Sequence, residues 1–146
     1  MTHKEPIKVA CAIVYFDDKI LVTQRSEKMK SPLKWEFPGG KLEDNEIEVD
    51  CVKREILEEI NIEIEVIRNL SRCVFDYGTF QIELIPFLAN HISCDIKLSE
   101  HKEYRLLNVS ELRNLDWAEA DIPIVEELMN YSEAEPRGIR SIERQS

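Results

Sequence analysis

Residues 40–62, GKLEDNEIEVDCVKREILEEINI, decide the fold and are the most informative part of this chain. Apolar residues recur at helical spacing and predict an α-helix over residues 47–60, with a core face formed by Val49, Val52, Ile56 and Ile60. At about 100° per residue, a second face carries Glu55, Glu58 and Glu59, and Glu48 projects to the same side. Clustered carboxylates repel each other, and Mg²⁺ accepts such oxygens as ligands. The face is therefore either a metal site or a solvated acidic surface.

The residues before this helix favour the metal site. Residues 34–37 predict a short strand, which Pro38, Gly39 and Gly40 break into a sharp turn. Glycines there allow positive φ angles and let a ligand or metal approach the backbone closely. A strand, a glycine turn and an acidic helix in this order predict a cradle for a metal and a phosphate.

The same segment resembles the Nudix box, G-x5-E-x7-R-E-U-x-E-E-x-G-U, in which U is a bulky aliphatic residue. The matching positions are Gly40, Glu46, Arg54, Glu55, Ile56, Glu58, Glu59 and Ile62. Asn61 departs from the pattern because the family usually has glycine there. Asparagine is the commonest other residue in the left-handed conformation that ends a helix, so we expect a small cost in stability and an intact metal site. The resemblance implies the α/β (α+β) Nudix fold, an α/β/α sandwich with a mixed β-sheet.

The resemblance extends over most of residues 7–130, where the chain is similar to the MutT and CTP-pyrophosphohydrolase branch of the family. It is carried by WEFPGGK at 35–41, by Arg25 at the end of the second predicted strand and by LDWAEADIP at 115–123. It implies an enzyme that releases pyrophosphate from nucleoside triphosphates with Mg²⁺ or Mn²⁺ as cofactor. Two candidate substrates remain open: CTP or dCTP on the one hand, and 8-oxo-dGTP on the other. The alternatives are another nucleoside diphosphate derivative, such as ADP-ribose or a dinucleoside polyphosphate, and a non-catalytic nucleotide-binding module.

The resemblance also implies roles for single residues in a metal-dependent reaction. Glu58 and Glu59 would bind the metal, and Glu55 would bind it or act as the general base. Arg54 would orient these carboxylates by ion pairing. Two further metal ligands are expected outside the helix: the carbonyl of Gly39 and a carboxylate from a later loop, for which the candidates are Glu100 and, as the alternative, Glu103.

Two basic residues and an acidic one are candidate substrate contacts. Because both the protein and a nucleotide are negatively charged, Arg25 and Lys41 could supply local positive charge to the phosphates, or each could be an exposed surface cation. Asp121 matches the position where MutT carries an asparagine that hydrogen-bonds the base. An ionised aspartate offers only acceptors, which favours a cytosine-type base. Asp121 could instead cap the last helix.

Aromatic residues are candidates for stacking on the base. Phe37 is the first choice, and Phe75 or Phe80 is the alternative. For each of them, packing in the hydrophobic core is the competing interpretation.

Length and charge restrict the remaining possibilities. The chain of 146 residues predicts one domain over residues 1–131 and a polar, flexible tail over 132–146. A net charge of −10 argues against a nucleic-acid polymer as partner, and no apolar run is long enough to cross a membrane. Four isolated cysteines and the lack of an apolar leader predict free thiols and a cytoplasmic location. A monomer and a homodimer remain open.

Apolar runs and turn residues predict the other elements. Strands are expected at residues 7–15, 19–25, 62–70, 72–75, 79–89 and 103–107, a helical turn at 110–113 and a last helix at 122–130. The first two strands should form a hairpin at residues 16–18. Pro86 predicts an edge strand or a bulge, because proline cannot donate a hydrogen bond to a neighbouring strand.

Overall fold

Strand β1 (Ile7–Phe16) has buried residues on both of its faces, and this pattern places it at the centre of the sheet. In the computed structural model, which describes residues 5–134, β1 pairs in parallel with β7 (Gln81–Ser93). It also forms an antiparallel hairpin with β2 (Lys19–Gln24) through a tight turn in which Asp17 has a φ of 57°. The predicted hairpin is confirmed.

Five further strands complete the sheet. β5 (Glu63–Asn69) and β6 (Cys73–Asp76) pair antiparallel with successive parts of β7, and β8 (Glu103–Leu107) pairs antiparallel with β2. β3 (Trp35–Glu36) pairs with β2, and β4 (Gly39–Lys41) pairs with β1. Because β8 and β7 occupy the other sides of β2 and β1, the two shortest strands lie in the split where β1 and β2 diverge.

Helices α1 (Glu48–Ile60) and α2 (Ile122–Ala134) cover opposite faces of this mixed sheet. The residues that alternate along β1 show the two layers. The core on the side of α1 includes Ala10, Ala12, Val14, Val52, Ile56 and Ile60. The core on the side of α2 includes Cys11, Ile13, Tyr15, Ile124, Val125 and Leu128. The predicted α/β/α sandwich is confirmed. Neither helix is long and apolar enough to span a membrane, within the part of the chain that the structure describes.

Helix α1 ends as the sequence predicts. Asn61 adopts the left-handed conformation, with φ 71° and ψ 16°, and its N–H donates to the carbonyl of Leu57 at 3.0 Å. Asparagine therefore takes the conformation for which the family pattern has glycine. The predicted apolar stripe is also observed, since Val52, Ile56 and Ile60 are fully buried.

Pro86 lies in β7, which has partners on both sides, so the prediction of an edge strand is wrong. Its carbonyl accepts the N–H of Leu70 at 2.9 Å. The nitrogen and the carbonyl of one strand residue point to the same side, so the missing N–H of Pro86 faces the break between β5 and β6. The interruption in the partner strands accommodates the proline, and the nearby β5–β7 pairing has an irregular register between Val66 and Arg68, in keeping with the alternative of a bulge.

The C-terminal helix is longer than predicted. It continues to Ala134 rather than ending at residue 130, so the first residues of the predicted polar tail are helical. The rest of that tail, residues 135–146, lies outside the described residues. Two 3₁₀ turns, Val109–Asn114 and Glu119–Asp121, precede the helix, and the first of them includes the predicted helical turn.

Candidate active site

The glycine segment crosses the split between β1 and β2 as part of the sheet, not as the sharp turn that the sequence predicted. Neither Gly39 nor Gly40 has a positive φ. Their lack of a side chain matters because space is short: a Cβ on Gly39 would lie 1.9 Å from the carbonyl oxygen of Ala10. A Cβ on Gly40 would lie 2.2 Å from Oε1 of Glu55. Glycine is therefore required here because neighbouring atoms approach the backbone closely, which was the second property expected of these two residues.

Arg54 gathers several carboxylates on one face of α1. Its Nε and Nη2 donate to the two oxygens of Glu46 at 2.7 and 2.9 Å. Its Nη1 donates to Glu55 at 2.8 Å and to Glu58 at 3.2 Å. The hydrogen bonds from Arg54 hold the pKa of Glu46 at about 2, well below its ordinary value. Arg54 is thus placed to orient carboxylates, the role that the resemblance implied.

Glu59 lies outside this ion-pair network. Its Oε1 is buried and has no hydrogen-bond partner in the part of the chain that the structure describes. The pKa of Glu59 is raised to about 7, mainly by burial and to a smaller extent by nearby Glu55 and Glu36. His101 opposes this shift. A buried carboxylate oxygen without a partner is the feature of this site that a cation would satisfy.

The predicted metal ligands fit a hard divalent cation without forming a closed cage. Among residues 5–134, no three His, Cys, Asp or Glu side chains are arranged closely enough to hold a metal ion by themselves. Mg²⁺ keeps several waters and shares its coordination with substrate phosphates, so an open set of carboxylates is compatible with it. Glu55, Glu58 and Glu59 are the carboxylates on this face of α1 that would contribute to such a set.

The predicted ligand from a later loop lies close to the end of α1. The N–H of Ser99 donates to the carbonyl of Glu59 at 2.9 Å, and Glu100, the next residue, is exposed. The alternative, Glu103, lies in β8 and pairs with Arg105 at 3.5 Å. The position of the loop favours Glu100.

Two residues of the site, Glu36 and His101, were not among the sequence-based candidates. Glu36 Oε1 accepts a hydrogen bond from Arg25 Nη1 at 2.8 Å, and Glu36 Oε2 lies 2.8 Å from His101 Nε2. Arg25 Nε also donates to the carbonyl of Lys30. Arg25 is therefore held by Glu36 and is not a free surface cation. The available signal was an acidic residue inside the WEFPGG strand and a histidine directly after Glu100.

Asp121 lies next to this group and is buried. It immediately precedes α2, as predicted for a capping residue, but its Oδ2 accepts the N–H of Phe37 at 2.8 Å. Burial, and then repulsion from Glu36, raise the pKa of Asp121 well above its ordinary value. A protonated carboxyl offers both a donor and an acceptor. The preference for cytosine, which assumed an ionised Asp121, therefore does not follow from this residue alone.

The aromatic candidates divide between core and surface. Phe37 is 3% exposed and belongs to the core on the side of α2, so the structure places its ring in the interior and not on an open surface. Phe80 is 37% exposed and stacks on Tyr77 with ring centroids 5.1 Å apart, while Phe75 meets Tyr77 edge-on. Burial, and then Asp121, raise the pKa of Tyr77. The exposed aromatic surface near Asp121 is thus the turn between β6 and β7.

Three other residues considered in the sequence have different surroundings: Lys41, Glu48 and Cys51. Lys41 is exposed on β4, and its carbonyl accepts a bond from Arg54 at 3.3 Å. Glu48 does not join the acidic cluster as predicted, because both its oxygens accept hydrogen bonds from Arg72. Cys51 is a packed, free thiol that contacts the carbonyl of Lys41 at 3.5 Å.

The comparisons with known proteins agree with the fold. The NUDIX domain family matches residues 6–128. CTP pyrophosphohydrolase of Escherichia coli is 30% identical over 130 residues, which are 89% of this chain and 96% of that protein. An 8-oxo-dGTP diphosphatase of Proteus vulgaris is 34% identical over 89 residues, which are 60% of this chain and 80% of that protein.

Solved structures agree with the sequence comparisons. The solution structure of the Escherichia coli ORF135 protein superposes with a TM-score of 0.81 at 30% identity and covers 90% of this chain and 94% of that one. A MutT protein of the Nudix hydrolase family from methicillin-resistant Staphylococcus aureus has a TM-score of 0.72 at 41% identity, with coverages of 88% and 98%. With the arginine-ordered carboxylates on α1 and the glycine segment beside them, these similarities establish that the chain belongs to the Nudix hydrolase family.

Proposed function

We propose that the protein is a Mg²⁺-dependent pyrophosphohydrolase that converts a nucleoside triphosphate and water into a nucleoside monophosphate and pyrophosphate. The observation that carries the proposal is the buried oxygen of Glu59, which has no hydrogen-bond partner among the described residues and lies beside carboxylates that Arg54 orients. The names of the two curated relatives, a CTP pyrophosphohydrolase and an 8-oxo-dGTP diphosphatase, support the class of substrate.

The residues that would hold Mg²⁺, or Mn²⁺, are the carbonyl of Gly39 and the carboxylates of Glu55, Glu58, Glu59 and Glu100. A bound cation neutralises phosphate charge and makes a bound water more acidic. We assign the removal of a proton from the attacking water to Glu55. Its carboxylate is fixed by Arg54 at 2.8 Å and lies against the bare backbone of Gly40, so it cannot rotate freely.

The phosphates and the base would lie on two sides of the split in the sheet. Arg25, whose guanidinium Glu36 orients, and Lys41 on β4 provide positive charge for the phosphates. Local cations are needed because the protein has a net charge of −10 and repels an anionic nucleotide at a distance. Asp121 would hydrogen-bond the base, and the exposed ring of Phe80 would stack on it.

The decisive experiment is product analysis with a panel of nucleotides, each with and without Mg²⁺. The panel contains CTP, dCTP, 5-methyl-dCTP, dGTP, 8-oxo-dGTP and ADP-ribose. We expect monophosphate and pyrophosphate only when the metal is present, and the ranking will choose between cytosine and oxidised guanine. Cleavage of ADP-ribose alone, or of nothing in the panel, would contradict the proposal.

Two variants on the same helix sharpen this test. Glu59→Gln should lower turnover by orders of magnitude while the fold remains intact, because it removes a metal ligand. Glu48→Gln is the matched control, since Glu48 pairs with Arg72 away from the site and its loss should leave the rate near normal. Equal rates for the two variants would refute the assignment of Glu59.

A further inference from the structure

The loop before β8 is hydrogen-bonded to the backbone on both sides of the candidate site. On one side, the N–H of Ser99 donates to the carbonyl of Glu59 at the end of α1, at 2.9 Å. On the other side, the N–H of Lys102 donates to the carbonyl of Gln24, the residue before Arg25, also at 2.9 Å. These two anchors fix the backbone on either side of His101.

The side chain of His101 is 1% exposed and is directed at Glu36. His101 Nε2 lies 2.8 Å from Glu36 Oε2, and Arg25 Nη1 lies 2.8 Å from Glu36 Oε1. The carboxylate is thus held at both oxygens, which allows it a single orientation. Arg25 is in turn held twice, because its Nε donates to the carbonyl of Lys30.

The surroundings of Glu36 make the second contact important. Asp121 and Glu59 both experience repulsion from Glu36, so three carboxyl groups lie in one neighbourhood. A carboxylate with Arg25 as its only partner could rotate away from these neighbours, and Arg25 Nη1 would then lose its fixed acceptor. His101 prevents that rotation from the buried side.

We propose that His101 is a positioning residue that holds Glu36 and, through Glu36, fixes the guanidinium of Arg25 for contact with the substrate phosphates. The inference rests on the proposed function, because it assigns the phosphate contact to Arg25. A histidine that only packs the loop would affect stability, but its effect on substrate binding would be independent of Arg25.

A double-mutant cycle separates these two roles. KM and kcat are measured for the best nucleotide of the panel with the wild type, His101→Ala, Arg25→Ala and the double variant. We expect each single change to raise KM by roughly tenfold, and the double variant to be no worse than Arg25→Ala alone. Multiplicative effects in the double variant would overturn the inference.

Substitutions that keep the size of the side chain provide a second readout. In His101→Gln, the amide nitrogen replaces Nε2 as a donor to Glu36 and should restore most of the KM. His101→Leu fills similar space without a donor and should behave like the alanine variant. Lys102→Ala is the control, because Lys102 pairs with exposed Glu27 at 3.2 Å and should leave KM unchanged. Equal KM values for the glutamine and leucine variants would contradict the inference.

Binding of a non-hydrolysable α,β-methylene nucleoside triphosphate, measured by calorimetry for the same variants, makes the test independent of turnover. If the wild type binds the analogue but cleaves no triphosphate, the proposed function fails, and the cycle in Kd still judges His101. If the wild type cleaves triphosphates while the cycle is additive, only the inference about His101 fails. Thermal melting of each variant identifies losses that result from unfolding.

Discussion

Replacing Glu59 by glutamine should stabilise the metal-free protein, and the gain should depend on pH. Burial raises the pKa of Glu59 from 4.5 to about 7, so ionising this carboxyl costs the folded state about 3 kcal/mol. Because the folded-state pKa is the higher one, the stability that the protonated form contributes is present below pH 4.5 and is lost as the pH rises through about 7. Glutamine does not ionise and escapes this loss. Its buried amide lacks a full set of partners, which reduces the expected net gain at pH 8 to about 2 kcal/mol.

Urea unfolding in EDTA at several pH values between 5 and 8 measures this difference in the free energy of unfolding. Glu58→Gln is the matched control, because its side chain is 59% exposed on the same helix and should change stability by less than about 0.5 kcal/mol. Millimolar Mg²⁺ should stabilise the wild type and not Glu59→Gln. A Glu59→Gln variant that is no more stable than the wild type at pH 8, or equally more stable at every pH, would refute the reasoning.

Three other substitutions test separate parts of the site. Gly40→Ala places a Cβ 2.2 Å from Oε1 of Glu55, so we expect kcat/KM to fall by about 100-fold with only a small change in melting temperature. Unchanged kinetics would show that the position of Glu55 is unimportant. Arg54→Lys replaces the forked contact with Glu46 by a single point charge, so the pKa of Glu46, followed by carboxyl NMR titration, should rise from about 2 towards 4.5 and kcat should fall at least tenfold. Asp121→Asn removes a carboxyl group whose pKa is raised by burial, so the stability of the variant relative to the wild type should increase with pH. The ratio of kcat/KM for CTP to kcat/KM for 8-oxo-dGTP should also change, and a constant ratio would exclude Asp121 from base recognition.

The acidic helix and its ending could be predicted because the information is local. Val52, Ile56 and Ile60 repeat at helical spacing, and Asn61 suits a left-handed end. The box motif also placed Arg54 among carboxylates, which the observed hydrogen bonds match. Features that depend on residues within a few helical turns of one another can therefore be predicted from the sequence.

The contacts of Glu36 could not be predicted in this way. Its partner His101 is 65 positions away, and the two meet only because a loop is anchored between α1 and β2. The side chains alternate in the split of the sheet: Phe37 packs in the core, one of the two interpretations that the sequence allowed, while Glu36 faces Arg25 and His101. Pro86 shows the same limit, because the break between β5 and β6 that accommodates it is a property of the whole sheet.

The parallel pairing of β1 with β7 has a consequence for how the protein is made. It joins residues about 75 positions apart, from Ile7 with Ile82 to Tyr15 with Asn90. Closing so long a segment costs conformational entropy before any contact forms, so this pairing should be a late event in folding. The apolar stripe of α1 belongs to the same hydrophobic cluster as Ile85 and Phe87 of β7. On the ribosome, α1 can pack on β1 and β4 early, because both strands precede it in the chain, but the candidate site is complete only after the loop with Glu100 and His101 has left the exit tunnel.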